Sequence, residues 1–369
     1  MPDSATIWII SIRRSETGNE RGANPIVRCS PCSIQIKRAF SATSRHMLRV
    51  GYPTTLPADL FGDFPDSVEL VPLASPLDHD VEIDVWIPDP YPTRALRIVP
   101  HLRGVKLVLS LMAGTEWIPD AMGPHVTICN ARGAHNISTA EWTVSSILAM
   151  LKYLPLFMDV QRSGDWKGRF GASSHYAEIT GDARPLYPPV MLEELTDKSV
   201  LLVGYGSIGK DIERMLEPFH VQITRVARSA RAEPLVHAVT ELDRLLSQAQ
   251  IVVLILPSTF ETHWLIDARQ LALMNQGTLL VNAARGPIVN TDALVSALQS
   301  GRIRAALDVT DPEPLPVGHP LWTCPNLLIT PHIGGSSPQF AVRGVKIAAD
   351  ELRRYIAGEP LRNVVQAAI

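Results

Sequence analysis

Six residues, Gly204-Tyr205-Gly206-Ser207-Ile208-Gly209, constrain what this chain can fold into more than any other stretch. They follow the apolar run Val200-Leu201-Leu202-Val203 and continue into Lys210-Asp211-Ile212-Glu213-Arg214-Met215-Leu216. A short apolar run bounded by glycine predicts a buried parallel strand. Past the glycines, Ile208, Ile212, Met215 and Leu216 recur at helical spacing, with Lys210, Glu213 and Arg214 left for solvent. A strand, three glycines and a helix suit a dinucleotide. Gly204 permits the tight turn, Gly206 lets the backbone approach a pyrophosphate, and Gly209 lets helix and strand pack closely. The helix N-terminus at Ser207 and Ile208 faces the phosphate charge. Glycine triplets are common in turns, so the flanking strand and helix carry the specificity.

Further strands are predicted downstream. Ile251 to Leu256 ends at Pro257-Ser258-Thr259, near where the nicotinamide half of a dinucleotide lies. Thr278 to Asn282 runs into Ala283-Ala284-Arg285-Gly286. Arg304 to Val309 carries Asp308 at its end, with Glu313 following in Asp311-Pro312-Glu313-Pro314. Leu327 to Thr330 leads into Pro331-His332-Ile333-Gly334-Gly335. Open α/β sheets bind ligands outside the carboxyl ends of their strands, so Arg285, Glu313 and His332 all point to one crevice. An arginine fork there suits a carboxylate, and a histidine titrates near working pH.

The strand predicted at Val221 to Val226 bears on cofactor choice. A free ribose 2′-hydroxyl calls for Asp or Glu at its end, roughly twenty residues past the glycine loop. Ala227 stands there, followed by Arg228, Ser229, Ala230 and Arg231. Arginine and serine can bind a 2′-phosphate that an acid would repel, which favours NADP. NAD is the alternative if Arg228 and Arg231 are only solvated loop charges.

The first half repeats the alternation of short strands and longer connections. Strands are expected at Leu48 to Tyr52, Val68 to Pro72, Ile83 to Pro88, Leu107 to Leu111 and Val126 to Asn130. The pattern is that of a parallel α/β unit. Met112-Ala113-Gly114-Thr115 follows one of these strands, where backbone N–H groups can hold a carboxylate. Ser138 or Thr139, with Glu141 in the first turn, reads as the N-cap of a long helix. Between Gly164 and Pro189 no hydrophobic period is visible, which predicts a long exposed connection.

Composition narrows the class. A chain of 369 residues suggests two or three domains, and a net charge of -3 gives no reason to expect a nucleic-acid or membrane-surface partner. The apolar stretch Trp142 to Met158 is broken by Lys152 and Pro155 and too short to span a bilayer. Four cysteines make no disulfide framework, which suggests a reducing compartment rather than secretion. Cys29 and Cys32 lack a second pair, so no metal is assigned. Residues 1–47 are arginine- and serine-rich and acid-poor, with Arg38-Ala39-Phe40-Ser41 like a matrix-protease site. They read equally as a mitochondrial transit peptide or as a disordered extension, so the expected location is the cytoplasm or the mitochondrial matrix.

From Leu48 onwards the chain resembles the D-2-hydroxyacid dehydrogenases, which include glyoxylate, hydroxypyruvate and phosphoglycerate dehydrogenases. The matching stretches are VGYGSIG at 203–209, VNAARG at 281–286, ALDVTDPEPLP at 306–316 and TPHIGG at 330–335. The resemblance implies a Rossmann-type doubly wound parallel sheet, residues 141–337, inserted in a flavodoxin-like α/β substrate domain made of 48–140 and 338–369. It implies a homodimer built largely on the dinucleotide-binding domains. It also implies catalytic roles: Arg285 on the substrate carboxylate, His332 as proton donor, Glu313 as the partner favouring its imidazolium. Ala113 and Gly114 would hold the carboxylate through their N–H groups. Asp308 would orient the nicotinamide, with Pro257 and Ala283 lining the cofactor site. The substrate is then a small 2-oxo or 2-hydroxy acid. Formate dehydrogenases resemble the chain too, but place glutamine where Glu313 stands. C-terminal-binding-protein corepressors use the same fold as a dinucleotide-responsive binding module and keep a similar Arg, Glu and His. The long segment at 168–189 departs from the family pattern, and Ala227 stands in place of the acid of NAD-dependent members.

Overall fold

A computed structural model describes residues 47–181 and 192–368, all within one compact unit, Phe40–Ile369. The basic leader, its Cys29 and Cys32, and residues 182–191 of the proline-rich connection lie outside the described residues.

Apolar runs with no polar face can only be buried on both sides, and here they form parallel sheets covered by helices. The larger sheet has seven strands. In spatial order they are His237–Ala238, Gln222–Ala227, Ser199–Val203, Ile251–Leu254, Thr278–Asn282, Ile303–Leu307 and Leu327–Ile329. Every pairing is parallel. Strands are added first to one side of Ser199–Val203 and then to the other, so a crevice opens at the carboxyl ends where the direction reverses. Successive side chains alternate faces. Leu201, Val203, Val252, Leu254 and Leu280 join one buried cluster, while Val200, Leu202, Ile251, Val253, Leu279 and Val281 join another. Each such side chain stabilises the fold by about 1.5–3 kcal/mol when fully buried.

The smaller sheet has the order Val364–Gln366, Thr127–Cys129, Leu107–Leu109, Val85–Trp86, Leu48–Pro53, Val68–Leu73. It is parallel except for its last-formed strand, Val364–Gln366, which pairs antiparallel. Both ends of the described chain thus build one sheet. Two helices connect the layers. Asn136–Leu151 places Ala140, Ile147, Met150 and Leu151 in the core of the larger sheet. Pro338–Ala357 returns Val345, Ala348, Ala349 and Leu352 to the core of the smaller one, against Val50, Val85 and Leu109.

Three local expectations need correction. The first long helix starts at Asn136 with His135 at its N-cap, so Ser138 and Thr139 are not caps. The Ser138 hydroxyl instead donates to the Gly335 carbonyl at 3.0 Å, tying together the two places where the chain crosses between sheets. The expected strand at Ile83 to Pro88 reduces to Val85–Trp86, although the flanking Asp84 and Ile87 N–H groups still donate to the Arg49 and Gly51 carbonyls of Leu48–Pro53 at 2.9 and 2.8 Å. The segment read as an exposed connection contains a short 3-10 helix, Trp166–Phe170, and an α-helix, Gly171–Thr180. Only Ala172 and Ile179 of that helix are buried, against Tyr153. Two buried positions seven residues apart are too sparse to register as a period.

Candidate active site

The glycine loop takes the conformation its composition requires. Gly204 has φ +103°, and a Cβ there would overlap the Ile255 carbonyl. Gly206 is the N-cap of helix Ser207–Leu216, and no side chain caps it. A Cβ at Gly206 would meet nothing within 4 Å, so this face is open to a ligand. An uncapped helix start beside open backbone suits a pyrophosphate. Ser207 can contribute its N–H, since its hydroxyl donates to Asn136 Oδ1 at 3.2 Å. Ile208 and Gly209 complete the first turn.

At the end of Gln222–Ala227, Arg228 and Ser229 are exposed. Glu261 lies on the neighbouring connection; its carboxyl is held below the usual range by a hydrogen bond from Thr259, with the Arg228 charge assisting. Arg231 is not a solvated charge. Its Nη2 donates to the Tyr205 carbonyl at 3.0 Å, and its guanidinium lies 5.5 Å from the Tyr205 ring centroid. Arg225, ion-paired with Glu213, stands at the same distance from that ring. The tyrosine of the glycine loop is therefore held by two cations. Pro257 and Ala283 lie just past two adjacent strands, Ile251–Leu254 and Thr278–Asn282.

Arg285 reaches the crevice through Asn282, a buried strand-end residue whose role was hidden in sequence. Asn282 Oδ1 accepts from the Ala284 N–H at 3.1 Å, and its Nδ2 donates to the Arg285 carbonyl at 3.1 Å. Arg285 Nη1 donates to the Ala284 carbonyl at 2.8 Å. Its Nη2 meets Glu116 Oε1 at 3.3 Å, a partner also unforeseen. The loop of Ala113 and Gly114 faces this guanidinium: a Cβ on Gly114 would overlap Arg285 Nη2. Asn130 Nδ2 donates to the Ala113 carbonyl at 2.9 Å and fixes the loop.

His332 and Glu313 meet as expected, Nδ1 to Oε1 at 2.6 Å. That hydrogen bond raises the His332 pKa above its usual range, against burial and the Arg285 charge, both of which lower it. Glu313 is correspondingly held down by the His332 hydrogen bond, with Arg285 contributing. Arg285 is thus close enough to act on both members of the pair. His332 has φ +55°, rare for a residue with a side chain and characteristic of functional turns.

Asp308 explains how that turn is held. Its Oδ1 accepts from Ile333 N–H at 2.8 Å and from the Thr330 hydroxyl at 2.7 Å, and its Oδ2 accepts from Gly334 N–H at 2.7 Å. Thr330 in turn accepts from Trp142 Nε1 at 3.0 Å. Asp308 therefore anchors the segment on which His332 is mounted. Among the described residues, no group of three or more His, Cys, Asp or Glu is placed to hold a metal ion.

Comparison with known proteins accords with this geometry. Residues 144–334 match the family model for the D-isomer specific 2-hydroxyacid dehydrogenase, NAD binding domain. A glyoxylate reductase of Thermofilum pendens is 34% identical over 248 residues, 66% of this chain and 68% of that protein. A mitochondrial formate dehydrogenase of Solanum tuberosum is 30% identical over 307 residues, 78% of this chain and 76% of that protein. Among solved structures, a D-isomer specific 2-hydroxyacid dehydrogenase from Xanthobacter autotrophicus, in complex with NADPH and MES, superposes with a TM-score of 0.68 at 26% identity. The match covers 86% of this chain and 98% of that one. The glycine loop, the strand-end arginine and the carboxylate-bound histidine are carried here by a member of a known group: the chain belongs to the D-isomer specific 2-hydroxyacid dehydrogenase family.

Proposed function

We propose that this chain reduces a small 2-oxo acid of the glyoxylate or hydroxypyruvate kind, with Arg285, Glu313 and His332 as its catalytic residues. The observation that carries the reading is the 2.6 Å bond between His332 Nδ1 and Glu313 Oε1, made within the electrostatic reach of Arg285. When bound, a reduced nicotinamide dinucleotide supplies the hydride for the carbonyl carbon. The remaining work falls to side chains. Arg285 binds the carboxylate, with the Ala113 and Gly114 amides opposite, and its charge stabilises the developing negative oxygen. With Nδ1 engaged by Glu313, the other ring nitrogen of His332 points away from that carboxylate and gives its proton to the carbonyl oxygen. Glu313 favours the imidazolium that does so. Asp308 keeps the turn in register beneath it.

NADPH is the preferred cofactor, because Ala227 stands at the strand end where a carboxylate would repel a 2′-phosphate, and Arg228 and Ser229 are exposed beside it. Residues 48–140 with 338–369 form the substrate domain and 141–337 the dinucleotide-binding domain. The working unit is a homodimer. Leu154, Met158, Trp166 and Phe170 are all exposed on consecutive helices, an apolar surface that a second copy would cover.

The formate dehydrogenase relative makes a second reading specific enough to test. Glu313 argues against it: a charged partner poises His332 to move a proton, and oxidation of formate to carbon dioxide needs no proton acceptor. Following the absorbance of the reduced dinucleotide separates the readings. Oxidation of NADPH by glyoxylate or hydroxypyruvate supports the proposal. Reduction of NAD with formate alone, or binding of dinucleotide without turnover of any acid, contradicts it.

A further inference from the structure

We propose that Glu116 is a specificity-determining residue, which competes with substrate for Arg285 and so selects 2-oxo acids that carry no second anionic group. The inference rests on the reading of Arg285 as the carboxylate anchor. Glu116 Oε1 lies 3.3 Å from Arg285 Nη2. Its other oxygen, Oε2, lies 3.0 Å from the position a Cβ on Gly114 would take. Arg285 Nη1 is already engaged by the Ala284 carbonyl. The Nη2 edge, facing Gly114, is thus where a substrate carboxylate would be received, and Glu116 presents a carboxylate to that same edge.

Two carboxylates at one guanidinium edge repel each other, so an entering acid displaces Glu116. The contact is easily surrendered, since the side chains are 33% and 58% exposed and a solvated ion pair is weak. Displaced, Glu116 remains tethered two residues past Gly114, so its negative charge stays near the bound acid. A hydrogen or a hydroxymethyl group on the 2-oxo carbon is compatible with that charge. A second carboxylate or a phosphate is repelled by it, which is selection through an unfavourable contact with the wrong ligand. The substrate class is then the monocarboxylic 2-oxo acids, as against 2-oxo diacids and phosphorylated 2-oxo acids.

The test compares the wild-type enzyme, Glu116→Gln and Glu116→Asp, each loaded with NADPH. Two readouts are taken: calorimetric binding of oxamate, an unreactive monoanion shaped like a 2-oxo acid, and kcat/KM for glyoxylate and oxaloacetate. Glu116→Gln should bind oxamate roughly two- to fivefold more tightly, the factor expected for removing a solvated ion-pair competitor. Its glyoxylate efficiency should improve through KM, and its oxaloacetate efficiency should improve by a larger factor. Glu116→Asp, which keeps the charge, should retain more of the wild-type selectivity than Glu116→Gln. Equal or weaker oxamate binding by Glu116→Gln would overturn the proposal, because Glu116 would then support Arg285 rather than compete with substrate. An unchanged ratio of glyoxylate to oxaloacetate efficiency would overturn the selection. A wild-type enzyme that binds oxamate but turns over no 2-oxo acid contradicts the proposed activity and leaves the binding comparison decisive for Glu116. One that does not bind oxamate contradicts both.

Discussion

Gly114 sits so close to Arg285 that a Cβ on it would overlap Nη2 of the guanidinium. The glycine belongs to the loop after Leu107–Leu109 of the smaller sheet, and the arginine follows Thr278–Asn282 of the larger. Two segments far apart in sequence thus pack directly against each other. Gly114→Ala should cut kcat/KM for a 2-oxo acid by about 10²-fold, the scale of a displacement near 1 Å. NADPH affinity, measured by fluorescence, should change little, since the glycine loop and not this contact is the expected seat of the dinucleotide. Full activity in the alanine variant would show that the arginine does not work from this position.

Glu313→Gln tests the electrostatics of the pair. The hydrogen bond from Glu313 raises the His332 pKa. Reduction needs imidazolium, so activity is present below that raised value and lost as pH climbs through it. Removing the carboxylate moves the fall to lower pH, and each pKa unit lost costs about tenfold in the protonated fraction above it. The measurement is the pH profile of kcat/KM for reduction; superimposable profiles would show that Glu313 does not set the protonation of His332.

Cofactor choice turns on the end of Gln222–Ala227. Each charge-assisted hydrogen bond from Arg228 or Ser229 to a 2′-phosphate should contribute about 1.5–3 kcal/mol, or one to two orders of magnitude in affinity. Wild type should favour NADPH, and Ala227→Asp combined with Arg228→Ala should reverse the ratio of catalytic efficiencies. A wild-type preference for NADH would mean that Arg228 serves Glu261 rather than a phosphate.

Stability depends on the opposite end of the same sheet. Arg304 and Glu193 are both buried and paired at 2.7 Å, with Lys198 at 2.8 Å from the same carboxylate. Burial pushes the Glu193 pKa up, but the two cations outweigh it and hold the carboxyl below its usual range. Its contribution is therefore present above the ordinary glutamate pKa and lost as pH falls through the depressed one. Arg304→Met should cost roughly 3 kcal/mol, the lower end for breaking a buried pair, since Lys198 remains. Denaturant unfolding at neutral pH should show the loss, and acidification that protonates Glu193 should shrink it. An unchanged midpoint at neutral pH would show that the pair contributes nothing net.

Much of this molecule is legible from residues alone, for a physical reason. Buried parallel strands are continuous apolar runs, and ligands of open α/β sheets bind beyond their carboxyl ends, so Arg285, Glu313 and His332, in the connections that follow such runs, are marked as candidates by position as well as by type. What escapes is whatever depends on side-chain direction. Asn282 looks like one more strand residue, yet its amide shapes the turn that carries Arg285. Asp308 reads as a ligand group, and three hydrogen bonds show it holding the His332 turn. Arg231 and Arg228 are alike in sequence, and only the first is bound to the glycine loop. The helix Gly171–Thr180 was hidden because it buries so little.

The central claim, that His332 delivers the proton that accompanies hydride, is tested most directly by His332→Ala. Single-turnover oxidation of bound NADPH by glyoxylate should slow by about 10²–10⁴-fold, the usual weight of a general acid. NADPH should still bind, because the ring faces the substrate. A His332→Ala enzyme that reduces glyoxylate at the wild-type rate would contradict the account.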